Sequence, residues 1–249
     1  MAPLDRFSTQ AAQYAQYRIN YPQELYTELL ANLPSRQRAW DCATGNGQVA
    51  AELAGYFTHV EATDSSAAQL ANATLRPNIT YQVAAAEATP FADNTFDLIT
   101  VGQAVHWFDF ERFNAEVQRV ARPGATIAEW GYQLAQLQAE LNPVLAHFYA
   151  DTMRPYWDAN RWHIDDQYAR IPFPFGQVQH RTYHVRRHWT AAWFLQYLRT
   201  WSSVVKYEQQ HGTDPVLLIE AEVVRQWGEG EREVVFPVFM RQGVVEKQG

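Results

Sequence analysis

The chain has 249 residues, 47% of them hydrophobic, and a formal net charge of −7. That length allows one large domain, or one core with an insertion, with enough apolar residues for a sizeable interior. The acidic balance argues against nucleic acid as the main partner, and no apolar run approaches the ~20 residues of a membrane span. The single Cys42 rules out an internal disulfide, and the start of the chain lacks the apolar core of a signal peptide, so a cytoplasmic protein is expected. The eight His are scattered, and no C-x-x-C or H-E-x-x-H spacing occurs, so no metal site is expected.

In chain order, Tyr14, Tyr17, Arg18 and Tyr21 share one helical face by their spacing. Such a face either lids a ligand or packs its aromatic stripe on the core; Arg18 is harder to bury without a partner. Tyr21 to Leu33 reads as a helix with Pro22 in its first turn. "RAWDCA" predicts a short strand ending in a glycine loop, and Gln48 to Tyr56 a helix. "HVEATD" is a second strand, and "SSAAQLANATL" a helix with a serine cap. "ITYQVAAA" and "FDLITVG" are strands three and four, Asp109 to Val120 a helix stopped by Arg122-Pro-Gly124, and "ATIAEWGY" strand five. This alternation implies a parallel sheet with helices on both faces.

After Tyr132 the alternation breaks. Residues 133–176 mix helix, loop and proline, and read as an insertion over the ligand edge of the sheet. "VQHRTYHVRRHW" looks extended and "TAAWFLQYLRTWSSV" helical, with Trp193, Tyr197 and Trp201 on one face. "DPVLLIEAEVVRQWG" is a helix capped by Asp214, and "REVVFPVFM" a closing strand. Residues 151–200 hold seven Arg and four Asp with no Lys or Glu, which marks either a cap that attracts an anion or an exposed strand with outward Arg and His.

In open α/β sheets, ligands bind beyond the carboxyl ends of the strands. After strand one comes "DCATGNGQVA", which fits two templates. Gly45-x-Gly47-x-x-Ala50 matches a dinucleotide fingerprint; Asp41-x-Ala43-x-Gly45-x-Gly47 is close to the D-x-G-x-G-x-G loop that cradles S-adenosylmethionine. Asp64, after strand two, suits ribose hydroxyls in either case. Asp41 favours the second template, because an acid at that strand tip suits the ammonium of a methionine tail. Ala43 stands where the first Gly is expected, which is tolerable if its φ is negative. Cys42 reads as buried filler.

The pieces "YAQYRINYP", "DCATGNGQ", "TDSS", "AAAEATPF", "FDLITVGQAVHWFD", "RPGA", "IPFPF" and "WTAAWFLQYLRTWS" fall in one order along almost the whole chain. In that order the chain resembles the class I S-adenosylmethionine-dependent methyltransferases. "HWFD" with "YLRTWS" resembles their small-molecule group that includes trans-aconitate methyltransferase. The resemblance implies a Rossmann-like α/β fold with a mostly parallel, seven-stranded twisted sheet and a cap in its C-terminal half. It implies one methyltransferase domain: a helical lid over 1–35, a cofactor core over 36–132, the cap over 133–176 and completion of the sheet over 177–249. Gly45 and Gly47 would line the methionine moiety with Asp41 beneath. Arg18 would meet the methionine carboxylate or an anionic substrate, Asp64 and Ser65 the ribose, Ala86 and Glu87 the adenine, and Gln103 the length of the cofactor.

Tyr14, Tyr17, Trp107 and Trp201 are expected around the acceptor. His106 is the one histidine beside the expected methyl; it is a base, a positioning donor or a structural group. "GQAVHWFD" is not the Asn/Asp-Pro-Pro-Tyr type of motif that accompanies methylation of base amines, which together with the acidic charge points to a small acceptor. A carboxylate oxygen is favoured. Methylation of a ring or quinone-like metabolite is the alternative; a nicotinamide oxidoreductase and a cofactor-holding module without turnover are more distant. The acceptor's identity and the oligomeric state are not readable from the sequence.

Overall fold

The computed structural model describes residues 19–247. Pro22 sits in extended backbone at the cap of α1 (Gln23–Leu30), whose Leu25, Tyr26, Leu29 and Leu30 are buried. There follow β1 (Arg38–Cys42), α2 (Gln48–Leu53), β2 (His59–Asp64), α3 (Ala67–Leu70), β3 (Ile79–Val83), β4 (Phe96–Gly102), α4 (Phe110–Val120) and β5 (Ala121–Tyr132). Ser66 caps α3 and Asp109 caps α4, each accepting from the backbone N–H three residues on. The remainder comprises α5 (Leu141–His147), several short turns, α6 (Trp162–Asp165), β6 (Gly176–Trp189), α7 (Ala191–Arg199), α8 (Ser202–His211), α9 (Leu217–Trp227) and β7 (Arg232–Val244).

The seven strands form one sheet in the order β3-β2-β1-β4-β5-β7-β6. The first five are parallel, and β7 runs against both of its neighbours. Strand order reverses between β1 and β4, which opens a crevice at their carboxyl ends. Both sheet faces are covered, so inner strands are apolar throughout rather than alternating. Alternate residues of one strand enter opposite cores: Ala39 and Leu98 join the core that holds α1 and α2, whereas Trp40, Ile99 and Val101 join the one that holds α4.

The segment after β5 uses both cores. Leu141, Leu145, Phe148 and Met153 pack in the first, but Ile164, Tyr168, Ile171 and Phe175 pack in the second. The chain therefore passes from one face of the sheet to the other between Met153 and Ile164. On the way, the turn Ala159–Arg161 packs against the turn Val105–Trp107 that follows β4. The crossing thus runs over the carboxyl edge.

Three expectations are corrected. "TAAWFLQYLRTWSSV" is two helices, because the Thr200 hydroxyl bonds back to the Tyr197 carbonyl at 2.6 Å and Trp201 turns extended. The break takes Trp201 off the helix that carries Trp193 and Tyr197, so the face does not run through all three; Trp193 is exposed, Tyr197 and Trp201 buried. β5 begins at Ala121, so Arg122-Pro-Gly124 lies inside the strand, beside a register irregularity between Phe96 and Leu98. Among the described residues, no helix is long and apolar enough to cross a membrane.

Candidate cofactor and active site

The tip of β1 is held from within. Asp41 is buried, accepting from the Thr100 hydroxyl at 2.9 Å, from the Ala50 N–H at 3.1 Å and from the Thr44 hydroxyl. The Ala50 bond uses one amide of the α2 first turn. Burial pushes the Asp41 carboxyl up to about 7, against the pull of these three donors. The following loop turns through left-handed backbone at Ala43 (φ 53°), Gly45 (φ 58°) and Gly47 (φ 78°). The negative φ required of Ala43 is therefore not met, and its Cβ is strained. Ala43→Gly is expected to stabilise the protein by about 0.5–1 kcal/mol, the relief of ~1–2 kcal/mol of left-handed strain less the extra chain entropy of Gly. Urea unfolding checks this; a loss of stability would contradict it.

The two glycines differ. A Cβ on Gly45 would meet open space, whereas one on Gly47 would run into the Tyr81 hydroxyl, which donates to the Thr74 carbonyl at 2.7 Å. Gly47 thus makes room for a β3 side chain on the side where a Cβ would stand. Asp64, at the β2 tip, accepts from the Gly45 N–H and the Ser66 N–H, each at 2.8 Å. This fixes its carboxylate against the glycine loop. Ser65 beside it is exposed. Ala86 and Glu87 form a tight turn bracketed by a bridge between Ala85 and Ala88, and Glu87 accepts from the Asp109 N–H at 2.9 Å. That bond ties the β3 tip to the loop after β4.

Gln103, just past β4, has φ 59°; its N–H donates to the Trp130 carbonyl and its amide oxygen accepts from the Tyr132 N–H, both at 2.7 Å. The amide oxygen is therefore held by β5. The Tyr21 hydroxyl and the Trp130 ring close over Gly102, and the two rings meet edge to face at 5.5 Å. Tyr21 is the one member of the expected lid face that is described; Tyr14, Tyr17 and Arg18 lie outside the described residues.

His106 is buried on the turn after Gln103, stacked on Tyr168 with 6.0 Å between ring centres and its Nδ1 3.3 Å from the Tyr168 hydroxyl. Burial first, then the charges of Arg161 and His163, hold it down to about 3. Of the readings open to His106, the base is the one this environment disfavours. Trp107 is partly exposed beside it. Trp201 does not reach this cluster; it is enclosed by Phe148, Tyr149, Trp157 and Tyr197 at 5.4–6.1 Å, and fills the cap's own core.

Tyr168 was not singled out in the sequence, and neither was the device that places it. Gln167 and Tyr168 are consecutive left-handed residues (φ 56° and 63°), a strained arrangement that needs support from its surroundings. The support comes from Arg241 on β7. Its Nη1 donates to the Tyr168 and Ile171 carbonyls at 2.9 and 2.8 Å, and its Nε and Nη2 donate to Glu129 on β5 at 2.8 and 2.6 Å.

Open sheets with this strand order take their ligands at the β1/β4 reversal, and the loop, acid and cap just described all converge there, so the class is a Rossmann-like α/β enzyme. Residues 40–128 match a family model described as a methyltransferase domain. A solved structure of a candidate type II methyltransferase from Anaeromyxobacter dehalogenans is 35% identical; the match covers 93% of this chain and all of that one, with a TM-score of 0.85. A candidate methyltransferase of Dictyostelium discoideum is 27% identical over 95% of this chain and 93% of its own length. A Haemonchus contortus phosphoethanolamine N-methyltransferase solved with S-adenosylmethionine is 18% identical, covering 97% of this chain and 57% of that one (TM-score 0.51), a likeness of fold alone. The chain belongs to the class I S-adenosylmethionine-dependent methyltransferases. That family implies S-adenosylmethionine as the cofactor.

Proposed function

We propose that the chain transfers a methyl group to a carboxylate oxygen of a small organic acid, within the small-molecule group that "HWFD" and "YLRTWS" resemble. The cradle suits the cofactor: Gly45 leaves open space where its Cβ would stand, and Asp64 is locked beside it. In this reading Asp41 and Gly45 hold the methionine part, Asp64 the ribose and the Ala86–Glu87 turn the adenine. When bound, the cofactor supplies an electrophilic methyl on a positively charged sulfur. The protein's task is to hold an oxygen in line with it.

The observation that carries the acceptor is His106. Its imidazole, held down to about 3, is too weak a base to take a proton from a hydroxyl or ring acceptor near neutrality. A carboxylate needs no such step, being ionised already at pH 7. In this reading Tyr168, packed on His106, and Tyr21, packed on Trp130, wall the acceptor site. The test is methyl-labelled cofactor with a panel of small carboxylic acids, phenols and quinols. Methyl esters are expected, with kcat at saturating cofactor flat from about pH 6 to 9. Methylation of phenols or ring carbons alone, at a rate rising through neutrality, would overturn the proposal.

A further inference from the structure

We infer that Arg161 is the cation that receives the anionic group of the methyl acceptor; this rests on the carboxylate reading above. Arg161 ends the turn Ala159–Arg161, where the cap crosses the carboxyl edge and packs on the Val105–Trp107 turn. Its guanidinium lies over the Tyr149 and Trp157 rings, 5.6 and 5.1 Å from their centres. The Nη1 atom is buried and has no hydrogen-bond partner among the described residues.

The other arginines of this half of the chain behave differently. Arg170 pairs with Asp166, Arg181 with Glu28, Arg186 with Glu233, and Arg199 with both Asp214 and Glu220. Arg187 donates to the Asn20 and Arg186 carbonyls, and Arg154 is exposed. Nearby acids are engaged elsewhere: the Tyr149 hydroxyl donates to Asp165, and Lys206 bridges to Asp158, both at 2.7 Å. A partly buried guanidinium without a carboxylate is costly. Its planar fork matches a carboxylate in two hydrogen bonds, and the flanking rings add cation–π attraction.

The charge of Arg161 is also felt by His106 and Tyr168, which places it within electrostatic reach of the turn after β4. That location is remote in sequence from the 43–47 loop and separates its role from that of the cofactor residues.

The experiment titrates protein saturated with S-adenosylhomocysteine with benzoate, citrate, their neutral amides and inorganic phosphate, by calorimetry, in the wild type, Arg161→Gln and Arg161→Lys. Carboxylates are expected to bind the wild type in preference to their amides, at least tenfold more weakly in Arg161→Gln and to an intermediate degree in Arg161→Lys. S-Adenosylhomocysteine affinity should stay within twofold in both variants, which also shows that they fold. Equal carboxylate binding in Arg161→Gln, a parallel loss of S-adenosylhomocysteine affinity in a folded variant, or no anion binding to the wild type would overturn the assignment. Binding of phosphate alone, dependent on Arg161, would keep the anion site and sink the carboxylate reading. Carboxylates methylated equally well by Arg161→Gln would do the reverse.

Discussion

Arg241→Met is expected to destabilise the protein by about 3–5 kcal/mol, the cost of leaving one partner of a buried ion pair alone. For a chain of this size that lowers the thermal midpoint by roughly 6–20 °C. The Arg241 and Glu129 side chains are only 5% and 1% exposed, so water cannot replace the lost partner. One Glu129 oxygen takes two guanidinium bonds, while the other is buried without a partner among the described residues. Burial pushes the Glu129 carboxyl upward even with Arg241 in place. Without Arg241 it should rise further and take up a proton, so the deficit should shrink as pH falls. Adding Glu129→Leu should recover part of the loss, because a buried pair replaced by apolar groups is often tolerated. The Tyr168 and Ile171 carbonyls still lose their donor, so recovery should be incomplete and Tyr168 should loosen over His106. A single variant within 1 kcal/mol of wild type in urea unfolding would contradict this.

Binding of S-adenosylhomocysteine is expected to tighten about tenfold per pH unit between about 5 and 7 and then level off. Two steps lead there. Burial raises Asp41 to about 7, so below that pH the free protein holds it protonated. Pairing with the ammonium of the ligand requires the ionised form, so binding releases a proton and gains as pH rises. In the free protein the sign is the opposite: the stability that Asp41 contributes is fully present below its usual value of 3.8 and is lost as pH rises through about 7. Asp41→Asn should flatten the binding profile and weaken affinity most above pH 7. A wild-type affinity constant from pH 5 to 8 would show that Asp41 does not meet the ligand's charge.

Strands β1 to β5 were legible because each is a short apolar run closed by a turn signal, and because a parallel sheet buries both faces. The order of the strand tips then placed Asp41, Gly45, Asp64, Ala86, Glu87 and His106 along one edge. What the sequence missed depends on contacts across distance or on backbone angles. Ala43 has the smallest side chain after Gly, yet its φ of 53° shows only in the folded loop. The demand for Gly at position 47 comes in part from the Tyr81 hydroxyl, which β3 brings to it from thirty-four residues away. Gln103 carries an ordinary polar side chain until Tyr132, twenty-nine residues later, claims its oxygen. The face that Trp193 and Tyr197 share does not continue to Trp201, because the helix ends where the Thr200 hydroxyl bonds back, a bond that periodicity does not register. Tyr168 and Arg161 lie in a segment without period, and only the cap's crossing from one core to the other brings them to the β4 turn.

The measurement that bears most directly on the cofactor seat is calorimetric titration of the whole chain with S-adenosylhomocysteine and with NADH at pH 7.5. A cradle opened at Gly45 and anchored by Asp64 predicts saturable binding of S-adenosylhomocysteine and none of NADH. Binding of NADH without S-adenosylhomocysteine would contradict it.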